Sequence, residues 1–150
     1  MRAGAPTLPP MAQPEPTEGE PNGELTLRTL AMPADTNPSG DIFGGWIMSL
    51  MDLAGGMKAA RLVEGRVVTV AVSRMVFMRP VKVGDQVCCY AALRRVGRTS
   101  MTLDVETWVL RQGASPRIKV TEAEFTYVAV DATGRPRPIT LAAGADQPAT

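Results

Sequence analysis

Hydrophobic positions along this chain first alternate, then recur at helical spacing, then alternate again. ELTLRTLAM, from Glu24, sets Leu25, Leu27 and Leu30 against Thr26, Arg28 and Thr29, which predicts a first strand. PADTNPSGD follows, dense in turn-forming residues. From about Gly45 to Leu62 the pattern predicts one long helix. On a helical wheel Trp46, Ile47, Leu50, Leu53, Ala54 and Met57 share a broad apolar face. Asp52 falls on the opposite side with Ser49, Gly55, Gly56 and Ala59 near it. That side is made of small residues, where another backbone or a ligand can come close.

Beyond Gly65 everything reads as strand. VVTVAVSRMVF sets Val68, Val70 and Val72 against Thr69, Ala71 and Ser73. RPVKVGD makes a turn before QVCCYAALRRV, Gly97-Arg98 turns into TSMTLDVETWVL, and RQGASPR loops to IKVTEAEFTYVAVD. The expectation is an α+β domain: a strand, one long helix, then an antiparallel meander of four strands. A helix apolar around so much of its girth calls for burial on more than one side. A curved sheet wrapped round it would supply most of that burial and a second subunit the rest.

The ends read differently. Residues 1–23 are rich in Pro, Gly, Ala, Glu and Thr and cannot bury enough apolar surface to offset chain entropy. They are expected to be a disordered tail, residues 24–139 the folded domain, and residues 140–150 a second flexible tail.

Composition then narrows the chemistry. The chain has 150 residues, one ordinary domain, with 16 basic against 15 acidic residues. A net charge of +1 gives no electrostatic case for nucleic acid or an anionic membrane. No apolar run approaches the roughly 20 residues of a membrane-spanning helix, and Met1–Gly23 lacks the apolar centre of a signal peptide. Cys88 and Cys89, the only cysteines, are adjacent and on a strand would point to opposite faces. They are read as reduced thiols packed in a cytoplasmic protein. Histidine is absent. That removes Ser-His-Asp triads, Cys-His pairs and His-ligated metal sites, so any acid–base step falls to Asp, Glu, Lys, Tyr or Cys.

LRTLAMPADTNPSGDIFGGWIMSLMD, GRVVTVAV, F-x-RPVKVGD-x-V-CCY, VGRTS and TEAEFTYVAVD-x-x-GRPRPI occur in this order from Leu27 to Ile139. This ordered set resembles the hotdog-fold acyl-CoA thioesterases, and most closely the YciA-type bacterial enzymes. The resemblance implies a central helix wrapped by an antiparallel sheet, two units joined edge to edge as a dimer, and further assembly, commonly as a trimer of dimers. It implies hydrolysis of acyl-CoA to free acid and CoA at the dimer interface, without metal or organic cofactor. It places the catalytic acid at Asp52 and a second active-site residue at Asn37, supplied from the other subunit.

The residue types suit that chemistry. A carboxylate can act as general base, or attack directly to give a mixed anhydride. Asp52 fits either role; on spacing alone it is equally a solvated helix residue or a partner for Lys58 or Arg61. Gly44 and Gly45, at the helix start, can present free backbone N–H groups to an oxyanion, or simply form a tight turn. Asn37 can donate to the carbonyl or hold the water; an Asn before Pro is also a turn former. Asp35 and Asp41 read as turn or capping residues. Gly97, Arg98, Thr99 and Ser100 offer a cation, two hydroxyls and a flexible backbone to CoA phosphates, or form a solvated hairpin turn. Arg74, Arg79, Lys82 and Arg95 are further phosphate candidates. Thr69, Ala71 and Ser73 form either a wall of the pantetheine channel or the dimer-forming strand. Trp108, Phe125 and Tyr127 read as core or sheet-face aromatics. The competing function is a non-catalytic acyl-CoA-sensing hotdog domain, which would not need the carboxylate.

Overall fold

The computed structural model describes residues 19–112, 114–145 and 148, so most of the expected N-terminal tail lies outside the described residues. Strand β1 (Glu24–Leu30) leads through a single 3-10 turn (Pro33–Asp35) to helix α1 (Gly44–Val63). Four strands follow: β2 (Val67–Phe77), β3 (Gln86–Val96), β4 (Ser100–Arg111) and β5 (Ala114–Ala129). They form one antiparallel sheet in the order β1-β3-β4-β5-β2, packed against α1.

The helix lies where the pattern places it, with one more residue at each end. It stops at Glu64, which takes a left-handed conformation (φ 50°). There the Arg137 guanidinium donates to the Val63 carbonyl at 3.0 Å, a cation on the negative end of the helix. Beyond it, in the segment expected as a flexible tail, the Ala142 N–H donates to the Leu62 carbonyl and Leu141 packs on the core.

Three sequence readings need correction. The first is the helix face. The side turned to the sheet carries Ile47, Met51, Ala54, Gly55, Lys58, Ala59 and Leu62. Leu53 and Met57, expected inside, are 54% and 42% exposed, and Trp46 and Leu50 are half-buried. Midway along that side Ala54, Gly55 and Ala59 let the helix approach the strands closely, while Leu53 and Met57 are left outside the protomer.

The second is the four-strand meander. Only β3, β4 and β5 form one. β2 pairs with β5 at one edge, while β3 pairs with β1 at the other. The physical reason is the length of the β2–β3 link, residues 78–85, which is too long for a tight hairpin and crosses the end of the sheet. It is tied there by bonds from Met78 N–H to Val120 O and from Ile42 N–H to Val81 O. The Asp85 carboxylate anchors its far end, accepting from the Lys82 N–H and from both Nε and Nη2 of Arg111.

The third is the Thr69-Ala71-Ser73 stripe. The pairing shifts between Thr69 and Ala71: Thr69 lies opposite Tyr127, but Ala71 lies opposite Thr126. A bulge at Val70 absorbs one residue and reverses the alternation. Thr69 therefore faces the helix, whereas Ala71 and Ser73 face away. The adjacent cysteines do split as expected: Cys89 lies in the main core, and Cys88 sits on the outer face with Tyr90 and Trp108. Both are free.

The Asp85–Arg111 tie yields a stability prediction. Asp85 is 1% exposed, so Arg111→Met leaves a buried carboxylate without its cation. Urea unfolding at fixed protein concentration should report a loss of about 3 kcal/mol. A loss below about 1 kcal/mol would mean that the pair does not hold the crossover link.

Candidate active site

Asp52 is half-buried at the border between the sheet-facing side of α1 and strand β2. Its Oδ1 accepts a hydrogen bond from the Thr69 hydroxyl at 2.6 Å. The Tyr127 hydroxyl lies 3.3 Å from the same oxygen and 3.0 Å from the Asp52 carbonyl. Thr69 and Tyr127 are cross-strand neighbours, so two adjacent strands aim their hydroxyls at one carboxylate. Oδ2 has no hydrogen-bond partner among the described residues. Neither Lys58 nor Arg61 pairs with Asp52 there; both contact Glu24 instead.

Tyr127 is 1% exposed. Burial, then the Asp52 charge, then the hydrogen bond to it push the phenol pKa well above its usual value. Tyr127 thus stays a donor throughout the neutral range. Gly55 makes room for it: a Cβ there would stand 2.4 Å from the Tyr127 hydroxyl oxygen.

Asn37 sits in the loop before the helix. Its Oδ1 accepts from the Ser39 N–H at 2.9 Å and the Asp41 N–H at 3.1 Å. That oxygen is spent on the turn, which leaves the side-chain NH2 as the available group, a donor. The loop is joined to the helix start by the Phe43 N–H bond to the Asp35 carbonyl. Asp35 and Asp41 serve the loop as expected, accepting from the Met32 N–H and pairing with Lys82.

Gly44 and Gly45 open α1. Phe43, the residue before them, provides no side-chain cap, and their N–H groups have no acceptor among the described residues. Phe43 folds over Gly45, where a Cβ would stand 2.6 Å from its ring, and Phe77 lies against Gly44. The helix start is therefore a pair of free donors between two exposed aromatic rings.

These parts do not all converge within one protomer. Asn37, Gly44 and Gly45 belong to one end of the helix. Asp52 lies eight residues on from Gly44, a rise of roughly 12 Å. One thioester carbonyl cannot touch the glycine N–H groups and Asp52 of the same chain.

Gly97, Arg98, Thr99 and Ser100 form the β3–β4 turn, closed by Gly97 N–H to Ser100 O at 2.7 Å. The Arg98 and Thr99 carbonyls accept from Ile139 and Ala129, so the turn abuts the chain leaving β5. Arg66 is brought beside it through the Val130 N–H, and Arg135 through Asp131. Arg66, Arg98 and Arg135 are exposed, and their guanidinium groups have no acidic partner among the described residues. The other candidates are engaged: Arg74 with Glu124, Arg79 with the Lys119 carbonyl, Lys82 with Asp41 and Arg95 with Thr102.

Sequence reasoning missed Tyr127 as a partner of Asp52, and missed Arg66 and Arg135. The signal for Tyr127 was Gly55, a glycine inside a helix three residues after the carboxylate. The arginines carried none, because only the fold brings residues 66, 98 and 135 to one end.

The raised pKa of Tyr127 has a testable sign. A proton held more tightly in the native state stabilises it fully below the unfolded-chain value near 10. That stability is lost as pH rises through the higher folded value. The difference in 295 nm absorbance between wild type and Tyr127→Phe should stay flat to about pH 11 and rise only as the fold unravels. A step near pH 10 in native protein would contradict this burial.

The comparisons agree with this architecture. Residues 39–114 match the family model "Thioesterase superfamily". The acyl-CoA thioester hydrolase YciA of Escherichia coli is 56% identical over 124 residues, covering 81% of this chain and 94% of that protein. A hexameric thioesterase from Yersinia pestis superposes with a TM-score of 0.76 at 56% identity, covering 81% and 99% of the two chains. A hexameric hotdog-fold thioesterase of Campylobacter jejuni superposes at 0.75 with 46% identity, covering 79% and 91%. With one central helix, a five-stranded antiparallel sheet and this identity over most of its length, the chain belongs to the hotdog-fold thioesterase superfamily.

Proposed function

We propose that this protein is an acyl-CoA thioesterase, hydrolysing acyl-CoA to a free acid and CoA, with Asp52 as its reacting carboxylate. The observation that carries the reading is a carboxylate with two hydroxyls directed at one oxygen and, among the described residues, no partner at the other, in a chain without histidine. The names of the relatives support the substrate class.

The active unit is a homodimer. β2 is an edge strand, exposed along nearly its whole length, Val68, Val70, Val72 and Val76 included. Such an edge is a template for another strand. Antiparallel pairing with a second β2 would cover it, and would leave each Asp52, bonded to Thr69 on that strand, close to the other protomer. Asp52 of one subunit then works with Gly44, Gly45 and Asn37 of the other, which resolves the separation along a single helix. Three such dimers would make a hexamer, and the names of two relatives give a hexameric assembly. Two free thiols suit a cytoplasmic enzyme.

In the reaction, a water attacks the thioester carbonyl and gives its proton to Asp52, or Oδ2 of Asp52 attacks directly to form a mixed anhydride that water then cleaves. The oxyanion is met by the Gly44 and Gly45 N–H groups and the helix dipole, with the Asn37 NH2 beside them. The C–S bond breaks and the CoA sulfur leaves, taking a proton. Arg98, with Gly97, Thr99 and Ser100 in its turn, grips CoA phosphates. Arg98 is three residues before Met101, which pairs with Tyr127, so the chain path sets the grip at most about 10 Å from the carboxylate's partner strand position.

Purified protein incubated with acyl-CoA of short, medium and long chains should release free thiol. Asp52→Asn should lower kcat by about 100-fold or more, while CoA affinity stays within about twofold. CoA binding without thiol release at any chain length would favour a sensor over an enzyme. Unchanged turnover in Asp52→Asn would remove Asp52 from the chemistry.

A further inference from the structure

We propose that Tyr127 is a positioning residue that, from beneath the helix, dictates which oxygen of Asp52 reacts. The proposal rests on the thioesterase reading above and assigns a task to a buried tyrosine that the reaction itself does not consume.

A carboxylate on a helix surface can turn about its last bond and exchange its two oxygens. Here the Tyr127 hydroxyl sits within reach of both the main-chain carbonyl of Asp52, at 3.0 Å, and Oδ1, at 3.3 Å. One phenol thereby spans the fixed backbone and the rotatable side chain of the same residue. Thr69 donates to that same Oδ1 from the neighbouring strand at 2.6 Å. Thr69 gives Oδ1 a whole hydrogen bond, the single Tyr127 proton is shared between Oδ1 and the main-chain carbonyl, and neither donor meets Oδ2. A carboxylate oxygen that accepts one whole and one shared O–H bond is a weaker base and nucleophile than its twin, so Oδ2 is the reacting atom.

Tyr127 can hold this geometry because it is itself held. It is fully enclosed, its ring stacks on Phe125 with centroids 6.3 Å apart, and its hydroxyl occupies the space that Gly55 leaves open. A Cβ at position 55 would lie 2.4 Å from the hydroxyl oxygen, 3.1 Å from the ring carbon bearing it and 3.2 Å from the next. Gly55 and Tyr127 thus form one device, with the glycine admitting the phenol and the phenol orienting the carboxylate. The phenol does not titrate at neutral pH, so the donor is constant.

The test is Tyr127→Phe, which keeps the ring and removes the O–H. Wild-type thiol release is read first, since its absence overturns the thioesterase reading and this role with it. Given an active wild type, kcat in Tyr127→Phe should fall about tenfold with KM within about twofold. A lower melting temperature with kcat unmoved in the folded fraction would make Tyr127 a packing residue and overturn the positioning role alone. Gly55→Ala supplies a second arm. Alone, it should reproduce the kcat loss of Tyr127→Phe with KM again within about twofold; combined with Tyr127→Phe, it should cost less melting temperature than in wild type, because the atom it collides with is gone. Wild-type kcat in Gly55→Ala, or fully additive losses in the pair, would contradict the shared device.

Discussion

The closeness of α1 to the sheet at Gly55 is the constraint on which the site depends. A helix can lie against strands at that distance only where its side chains are small, and Ala54, Gly55 and Ala59 provide that run. The approach sets the height of Asp52 above β2 and β5, where the Thr69 and Tyr127 hydroxyls reach it. With that arc against the sheet, Leu53 and Met57 face outward. The placement of Asp52 and the outward apolar surface are therefore two consequences of one packing choice.

That outward surface and the β2 edge point the same way. A long exposed edge strand bearing several valines is a liability in a lone protomer. In the symmetric dimer proposed above it would become the seam, and an isologous seam would set each subunit's Asp52 near the other's helix start. The roughly 12 Å between Gly44 and Asp52 on one helix keeps one thioester carbonyl from meeting both within a protomer. In that proposal the same helix would serve two sites, giving its N-terminus to one and its middle to the other.

Much of this was legible from the chain. The single long helix, the five strands, the turn before the helix and the lack of histidine all follow from residue patterns, and the ordered motifs point to the family. What the pattern could not carry was relative placement. A helical wheel separates apolar from polar residues but does not say which apolar arc meets the sheet; here it is the arc that carries Ala54, Gly55 and Ala59. Strict alternation at Thr69, Ala71 and Ser73 concealed the bulge at Val70, because a bulge changes facing without changing composition. Tyr127 read as one aromatic among several, since its tie to Asp52 spans 75 positions of sequence. Arg66 and Arg135 join Arg98 only when β2, β5 and the β3–β4 turn end at the same side of the fold.

The claim that each site draws on two chains is tested most directly by mixing two inactive variants, Asn37→Ala and Asp52→Asn, with subunit exchange followed by native mass spectrometry. In a mixed dimer, one site receives both lesions and the other receives neither. The account predicts that activity returns on mixing, to about a quarter of wild type at full random exchange. Proven exchange with no recovery would place Asn37 and Asp52 of the same chain in one site and contradict the account.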